Sequence, residues 1–411
     1  MMRIFYSIAV FFYRCAITLA SPFNKKANLW HQGRVHLFET LQKKCKGKDH
    51  IVWFHCASLG EFEQGKPLMQ KIKTENPEQT ILVSFFSPSG YEIKKKDNVA
   101  DIITYLPIDS KSNAQRFVEI VKPEMVFFVK YEFWFNLMDC LYQRNIPFYY
   151  ISAIFRPSQY FFKRYGFWFA KQLKKCSYFF VQNQISEELL QSIGIKQVEI
   201  TGDTRFDRVN SIAHESYQLD FMIRFREDKK LIVAGSTWEP DELLLKDLFP
   251  TIAGNYKIVI APHLIDKEHI KNIKEKFVSY KVLCYSEITD QDLSSYQILI
   301  IDTIGLLSKL YKYSYLSYIG GAFETGLHNI LEAAVFGVPL FFGPHYAKFN
   351  EAVSLVNLQG AFSICGYNEL LDKIKLYHDH PEAYQQVCEI CRHFVHANLG
   401  ACDKIWNKIK H

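Results

Sequence analysis

From residue 50 onward, short apolar runs rich in β-branched and aromatic residues alternate with helical stretches, and this alternation leaves few folds open. The first series is Ile51–His55, Thr80–Phe86, Met125–Val129, Pro147–Ser152 and Tyr178–Gln182. Its apolar residues are consecutive rather than alternate, which predicts strands buried on both faces, as in a parallel sheet covered by helices. A second series runs Leu231–Ala234, Lys257–Ala261, Lys281–Tyr285, Gln297–Ile301, Tyr315–Ile319 and Val338–Phe342. Between them lies a polar, charge-rich stretch, 207–230, read as a linker. The expectation is an α/β protein with two Rossmann-like domains. Ligands of such sheets bind at the carboxyl ends of the strands, so the expected site is a cleft that the two domains face.

The charge balance, 49 Lys+Arg against 43 Asp+Glu, gives +6. That is too mild to imply a nucleic-acid partner and is compatible with an anionic surface. The ten cysteines are scattered, which excludes a disulfide scaffold and points to a reducing compartment. Cys388-x-x-Cys391, with His393, His396 and Cys402 downstream, has zinc-ligand chemistry. No second CxxC accompanies it and the segment has a helical pattern, so no metal site is expected.

Residues 4–20 read IFYSIAVFFYRCAITLA. Arg14 interrupts the apolar region that a cleaved signal peptide needs. A spanning anchor has to bury Arg14 at a cost of about 2.5–3.5 kcal/mol or more. An interfacial helix lets that side chain reach the headgroups. The segment is read as a membrane-associated helix, with both arrangements open; a buried first helix is the competing reading.

Two stretches carry candidate chemistry. The first, His55-Cys56-Ala57-Ser58-Leu59-Gly60-Glu61, follows a strand and opens a helix. From Gly60 to Pro67 it nearly spells a P-loop. Pro67 stands where a magnesium-binding hydroxyl belongs, and Glu61 and Glu63 put negative charge in the phosphate cradle. Read otherwise, Glu61 is a carboxylate at a strand's carboxyl end, able to take a proton from a hydroxyl. It serves equally well as a plain helix-start residue. The second stretch, from Gly320-Gly321 through Gly326, His328, Asn329 and Glu332, reads as a strand, a glycine turn and a helix opening at Gly326, whose N–H groups suit a phosphate. Asn329 and Glu332 share a helix face and together can grip ribose hydroxyls or a base. Ser236 and Thr237, Pro262 and His263, and Ile304, Gly305 and Leu306 end other strands of the second series.

These stretches, in this order, resemble the Kdo transferases, which move 3-deoxy-D-manno-octulosonic acid (Kdo) from CMP-Kdo onto a lipid A precursor. The resemblance covers nearly the whole chain to about Asn350. It rests on His55–Glu61, Tyr105-Leu106-Pro107-Ile108-Asp109, Glu132-Phe133-Trp134, Thr201–Asp207, Ala234–Thr237, Asp302–Gly305 and His328–Glu332. It implies a GT-B glycosyltransferase fold. It implies Glu61 as general base, with Glu132 and Arg205 supporting the transition state. It implies CMP contacts at Pro262, His263, Ile304, Gly305, Leu306, Asn329, Ile330, Leu331 and Glu332, with Ser58, Gly60, Ser236, Thr237, Gly326 and His328 in support. No metal and no cofactor are implied; CMP-Kdo is a substrate. The family usually has Lys where this chain has Arg205, Pro-Arg where it has Pro262-His263, and a carboxylate where it has Leu306.

The expected organisation is a membrane-associated segment over 1–22, an acceptor domain over 23–206, the linker over 207–230, a CMP-sugar domain over 231–380, and a helix over 381–411 returning to the first domain. The expected activity is an inverting transfer of Kdo to a sugar hydroxyl of lipid IVA in lipopolysaccharide biosynthesis. The partners would be CMP-Kdo, the lipid A precursor and the membrane surface, at the cytoplasmic side of the inner membrane. Another GT-B glycosyltransferase, a nucleotide-sugar epimerase, or a non-catalytic membrane-attached nucleotide-binding module are the alternatives.

Overall fold

Ile51–Cys56 (β1) is buried at all six positions because neighbours cover both of its faces. The same holds for Thr80–Phe85 (β2) and Ile102–Tyr105 (β3). Met125–Val129 (β4), Phe148–Ala153 (β5), Tyr178–Val181 (β6) and Val198–Ile200 (β7) complete a seven-stranded sheet. The computed structural model, which describes residues 2–324 and 326–410, orders this sheet β3-β2-β1-β4-β5-β6-β7, all parallel. The order reverses between β1 and β4, and at such a switch point the loops leaving two neighbouring strands part to open a crevice.

A second parallel sheet repeats the plan. Its strands are Lys230–Thr237 (β8), Tyr256–Pro262 (β9), Val282–Cys284 (β10), Ile298–Ile300 (β11), Leu316–Ile319 (β12), Leu340–Phe342 (β13) and Ala361–Ser363 (β14). The order is β10-β11-β9-β8-β12-β13-β14, with the reversal between β8 and β12. Each sheet is doubly wound, as the consecutive apolar runs require.

The chain divides into two units. One comprises residues up to Arg208 together with those from Leu399 onward; the other is Val209–Asn398. The stretch read as a linker over 207–230 holds two helices, Thr204–His214 and Asp220–Arg226. Asp207 belongs to the first unit, and the second unit begins at Val209. Residues 381–411, read as one helix, fold as two. Pro381–Ala397 stays with the second unit and Ala401–Ile409 with the first. Gly400 separates them at φ +91, where a side chain would be strained. Asp207 fixes the returning helix, accepting from the Gly400 N–H at 2.7 Å and the Cys402 N–H at 2.8 Å. Cys402, Ile405 and Trp406 then join Val52, Phe54, Phe62 and Met69 in one core cluster.

Candidate active site

The chain leaves β1 and enters the helix Leu59–Glu75 through a capping box. The Ser58 hydroxyl accepts from the Glu61 N–H at 3.5 Å. The Glu61 carboxylate accepts from the Ala57 N–H at 2.5 Å and the Ser58 N–H at 3.2 Å. Glu61 therefore does serve the helix start, but in unusual surroundings. It is only 6% exposed. Burial, then the charge of Glu132, outweighs those two N–H groups and Lys130 and pushes its pKa up to about 8. A carboxyl so poised is suited to take up or give a proton near neutrality. Gly60, beside it, has open space where a Cβ would stand. Lys66, the residue that aligned with a P-loop lysine, is tied to Asp97 at 3.0 Å.

Glu132 follows β4, on the other side of the switch point. Its carboxylate lies 3.7 Å from Nε2 of His55, a fully buried β1 residue. His55 Nδ1 lies 2.9 Å from the Ser84 hydroxyl. That hydroxyl accepts from Trp53 Nε1 at 2.8 Å, and His55 Nδ1 also lies 3.1 Å from the Ser84 carbonyl oxygen. Nε2 is the ring nitrogen that faces Glu132.

Arg205 lies in the helix Thr204–His214. Its Nε and one terminal nitrogen each sit 2.8 Å from Asp203 Oδ2. The other oxygen, Asp203 Oδ1, accepts from Gln64 Nε2 at 3.0 Å. Burial works to raise the Asp203 pKa; the Arg205 charge and the hydrogen bonds win and hold it below the usual carboxylate range. Gln64 is one turn beyond Glu61 on the same helix, so this network sets Arg205 relative to Glu61. Glu61, Glu132 and Arg205 are thus all positioned by the first unit.

In the second unit, Asp241 ties the ends of β8 and β12 together. It accepts from the Trp238 N–H at 2.9 Å, the Gly321 N–H at 2.9 Å and the Tyr318 hydroxyl at 2.7 Å. Ser236 adopts φ +54 at this bend. A Cβ on Gly320 would stand 2.4 Å from the Ser236 carbonyl oxygen and 2.7 Å from Thr237 Cα, both backbone and unable to yield. Gly320→Ala is expected to destabilise the second unit by about 1–3 kcal/mol, read as a lower denaturant midpoint.

His263 stacks on Trp238 at 4.6 Å between centroids and lies 4.6 Å from the His328 ring. Trp238 Nε1 donates to His328 Nε2 at 3.4 Å. Burial, then the His263 charge, lowers the His328 pKa to about 4, so His328 is neutral near pH 7; with Nε2 accepting from Trp238, its Nδ1 carries the proton and is a donor. Asn329 Nδ2 donates to Glu332 Oε1 at 3.1 Å. The pairing read from their spacing is present, but the helix does not open at Gly326. Gly321 and Gly326 both take positive φ, the Gly326 N–H folds back onto the Gly321 carbonyl at 2.8 Å, and the helical turn is Leu331–Ala334. The Gly326 and His328 N–H groups are thereby used within the loop, bonded to the Gly321 and Gly320 carbonyls.

The remaining predicted donor residues divide by exposure. Ile304 and Gly305 are exposed, and Gly305 takes φ +98. Leu306 is half-buried, and Leu307 beside it packs on Gly235 at the end of β8. Ile330, Leu331 and Pro262 are buried, leaving mainly their backbone to meet a ligand. The Thr237 hydroxyl is turned inward, donating to the buried Glu242 at 3.3 Å. Cys388 and Cys391 are buried on the helix Pro381–Ala397, and Cys391 Sγ donates to the Gly360 carbonyl at 3.2 Å. Among the described residues, no group of three or more His, Cys, Asp or Glu is placed to hold a metal ion.

Residues 31–208 match the family model of 3-deoxy-D-manno-octulosonic-acid transferase, or Kdo transferase. Over this stretch the chain carries a domain similar to those of the Kdo transferases. The match ends at Arg208, the last residue of the first unit before the chain enters the second. A 3-deoxy-D-manno-octulosonic acid transferase of Aquifex aeolicus is 27% identical over 338 residues, 81% of this chain and 86% of the relative. A bifunctional glycosyltransferase/methyltransferase of Fusobacterium nucleatum is 28% identical over 312 residues, 72% of this chain. The alignment covers 48% of that relative, so the chain spans about half its length. Among solved structures, the UDP-GlcNAc 2-epimerase of Neisseria meningitidis bound to UDP-GlcNAc aligns over 87% of this chain and 98% of its own, with a TM-score of 0.62 at 16% identity. That likeness shows the GT-B fold alone.

Within the matched stretch, sequence reasoning gave no role to Gln64 or Asp203, which position Arg205, or to His55, which faces Glu132. It also missed Trp238 and Asp241 in the second unit. Pro240 and Asp241 carry a helix-start signal. The bonds from Asp241 to Gly321 and Tyr318 come from a strand nearly eighty residues away and have no local signature.

Proposed function

We propose that this chain moves Kdo from CMP-Kdo to a sugar hydroxyl of a lipid A precursor such as lipid IVA, with inversion. The observation that carries this reading is the buried Glu61 carboxyl at the β1–β4 switch point, with its pKa near 8 and Glu132 nearby. In its ionised form Glu61 takes the acceptor hydroxyl proton while the oxygen forms a bond to the Kdo anomeric carbon. The bond from that carbon to the CMP phosphate oxygen breaks, and the phosphate keeps the electron pair. Arg205 supports the charge that develops as the bond breaks. Ser236, His263, His328, Asn329 and Glu332 bind CMP. No resident metal or cofactor enters the scheme.

The lipid acceptor gives Met2–Ala20 a purpose. This helix has a mean hydropathy of 1.4 over its best window, with no residue of that window buried. The reading puts the protein at the inner membrane, with both units on the cytoplasmic side.

The test is incubation of the purified chain, in mild detergent, with a tetraacylated lipid A precursor and CMP-Kdo generated in situ. Mass spectrometry of the lipid should show a gain of one or more Kdo units. No gain from protein that still binds CMP overturns the donor and acceptor assignment. Arg205→Lys, which keeps the charge but loses the fork on Asp203, is expected to retain more activity than Arg205→Ala. The check is kcat for the two variants, with a loss of roughly 10²–10³-fold expected for alanine.

A further inference from the structure

The first unit carries two acid-free tracts. Residues 1–38 contain Arg3, Arg14, Lys25, Lys26 and Arg34 and no Asp or Glu. Residues 140–186 contain Arg144, Arg156, Lys163, Arg164, Lys171, Lys174 and Lys175, again with no Asp or Glu. The same two tracts hold the most exposed aromatic side chains of this unit. Phe11 and Phe12 are more than 60% exposed, and Phe23 is 91% exposed. In the second tract Tyr165 is 73% and Phe167 78% exposed, directly after Lys163 and Arg164.

The tracts meet. Tyr6 packs on Trp168 at 6.4 Å and on Phe135 at 5.0 Å. The loop bearing Tyr165 is held tightly: a Cβ on Gly166 would fall 1.7 Å from the Tyr160 carbonyl oxygen. The carboxylates at the joint are already engaged. Asp109 accepts from the Tyr6 hydroxyl at 2.6 Å, and Asp139 pairs with Arg3 at 2.8 Å and with Lys175. Further along the helix, Tyr13 packs on Phe86 and Trp30. Residues 3 to 13 cover roughly 15 Å of helix. With Arg3, Tyr6 and Tyr13 all docked, the helix lies along the domain surface and cannot cross a bilayer unless these contacts break. An open groove of about 400 Å³ runs beside it, lined by Ile4, Ile8 and Phe11 with Arg3 and Lys111.

We propose that Met2–Ala20 and Tyr160–Phe167 form one face that seats on an anionic lipid bilayer. The helix lies in the headgroup plane, and Tyr165 and Phe167 are a second insertion point beside Lys163 and Arg164. Charge complementarity selects the occupant: exposed apolar rings in tracts that carry cations and no Asp or Glu of their own match acyl chains below anionic headgroups. The proposal rests on the lipid-acceptor reading above, but it is read out without turnover.

The full chain is floated with vesicles of phosphatidylcholine alone, or of an equal mixture with phosphatidylglycerol. Binding is expected on the mixed vesicles and much less on the neutral ones. Lys163→Gln with Arg164→Gln should weaken binding by roughly fivefold per charge, and Tyr165→Ser with Phe167→Ser should weaken it at least as much. All four side chains lie outside the machinery described above, so turnover on detergent-dispersed acceptor and the melting profile should be unchanged. An alkaline carbonate wash should release the protein. Retention after the wash overturns the in-plane arrangement. Equal binding of both variant pairs and the parent overturns the second insertion point. Loss of self-association in place of lipid binding shows that a second copy covers the face, and overturns the proposal. Turnover in detergent without vesicle binding sinks this face and spares the transfer reading; vesicle binding without turnover does the reverse.

Discussion

Glu61→Gln is expected to lower kcat/KM for transfer by roughly 10²–10⁴-fold, the range for loss of a general base. CMP binding should change little, because the donor contacts assigned above lie in the second unit. Glutamine keeps an oxygen for the Ala57 and Ser58 N–H groups, so the helix start survives. The pH profile supplies the sharper check. A base with a pKa of about 8 is mostly protonated at neutral pH, so the parent enzyme's kcat/KM should climb with pH and level off above about 8. Stability runs the other way. The folded pKa lies above the unfolded carboxyl value, so the contribution of protonated Glu61 is full in acid and declines as pH rises through about 8. In Glu61→Gln both slopes should flatten. A mutant that retains the parent's rate and profile would remove Glu61 from the chemistry and leave it as a helix cap.

The second large effect concerns folding. Trp406→Ala is expected to cost about 3–5 kcal/mol, as for other large aromatic truncations in a core. Trp406 is buried in the cluster with Val52, Phe54, Phe62 and Met69. Its indole N–H also donates to Glu75 Oε2 at 2.7 Å. The two units need not unfold together, so the measurement is urea denaturation followed by far-ultraviolet circular dichroism and by limited proteolysis. The transition carrying the first unit should move, and fragments of that unit should appear at lower urea. Glu75 adds a pH signature. Its bonds to Lys71 first, then to Trp406, lower its pKa to about 2. The folded value lies below the unfolded one, so this joint contributes above about pH 4.5 and weakens as pH falls towards 2.

Much of this architecture was legible because buried parallel strands announce themselves as consecutive apolar residues. The runs at Ile51–Cys56, Met125–Val129 and Tyr256–Pro262 emerge within a residue or two of their reading. The unread strands, Ile102–Tyr105, Val198–Ile200 and Ala361–Ser363, lie at sheet edges and have only three or four residues. Runs so short carry little periodicity, although the equally short edge strand Val282–Cys284 was read within the run Lys281–Tyr285. At the site, Glu61 and Glu132 were found through motifs. What the Glu132 carboxyl faces was not, because His55 meets it from a neighbouring strand and is itself held by Ser84 on a third. The helix start expected at Gly326 failed for a related reason. Glycine allows the loop to fold back on Gly321, and nothing nearby in the sequence states that it does. Gly400 acted in the same way, dividing a helical pattern between the two units.

The return of Ala401–Ile409 to the first unit also sets a timetable. The ribosome makes this helix only after the 190 residues from Val209 to Asn398. At translation rates of about 5–20 residues per second, that interval lasts roughly 10–40 s. Throughout it the nascent first unit holds an unfilled slot lined by Val52, Phe54, Phe62 and Met69, where Cys402, Ile405 and Trp406 will later sit. Apolar surface open for that long is a standing invitation to chaperones and to aggregation. A chain interrupted before Gly400 therefore yields a first unit that never closes.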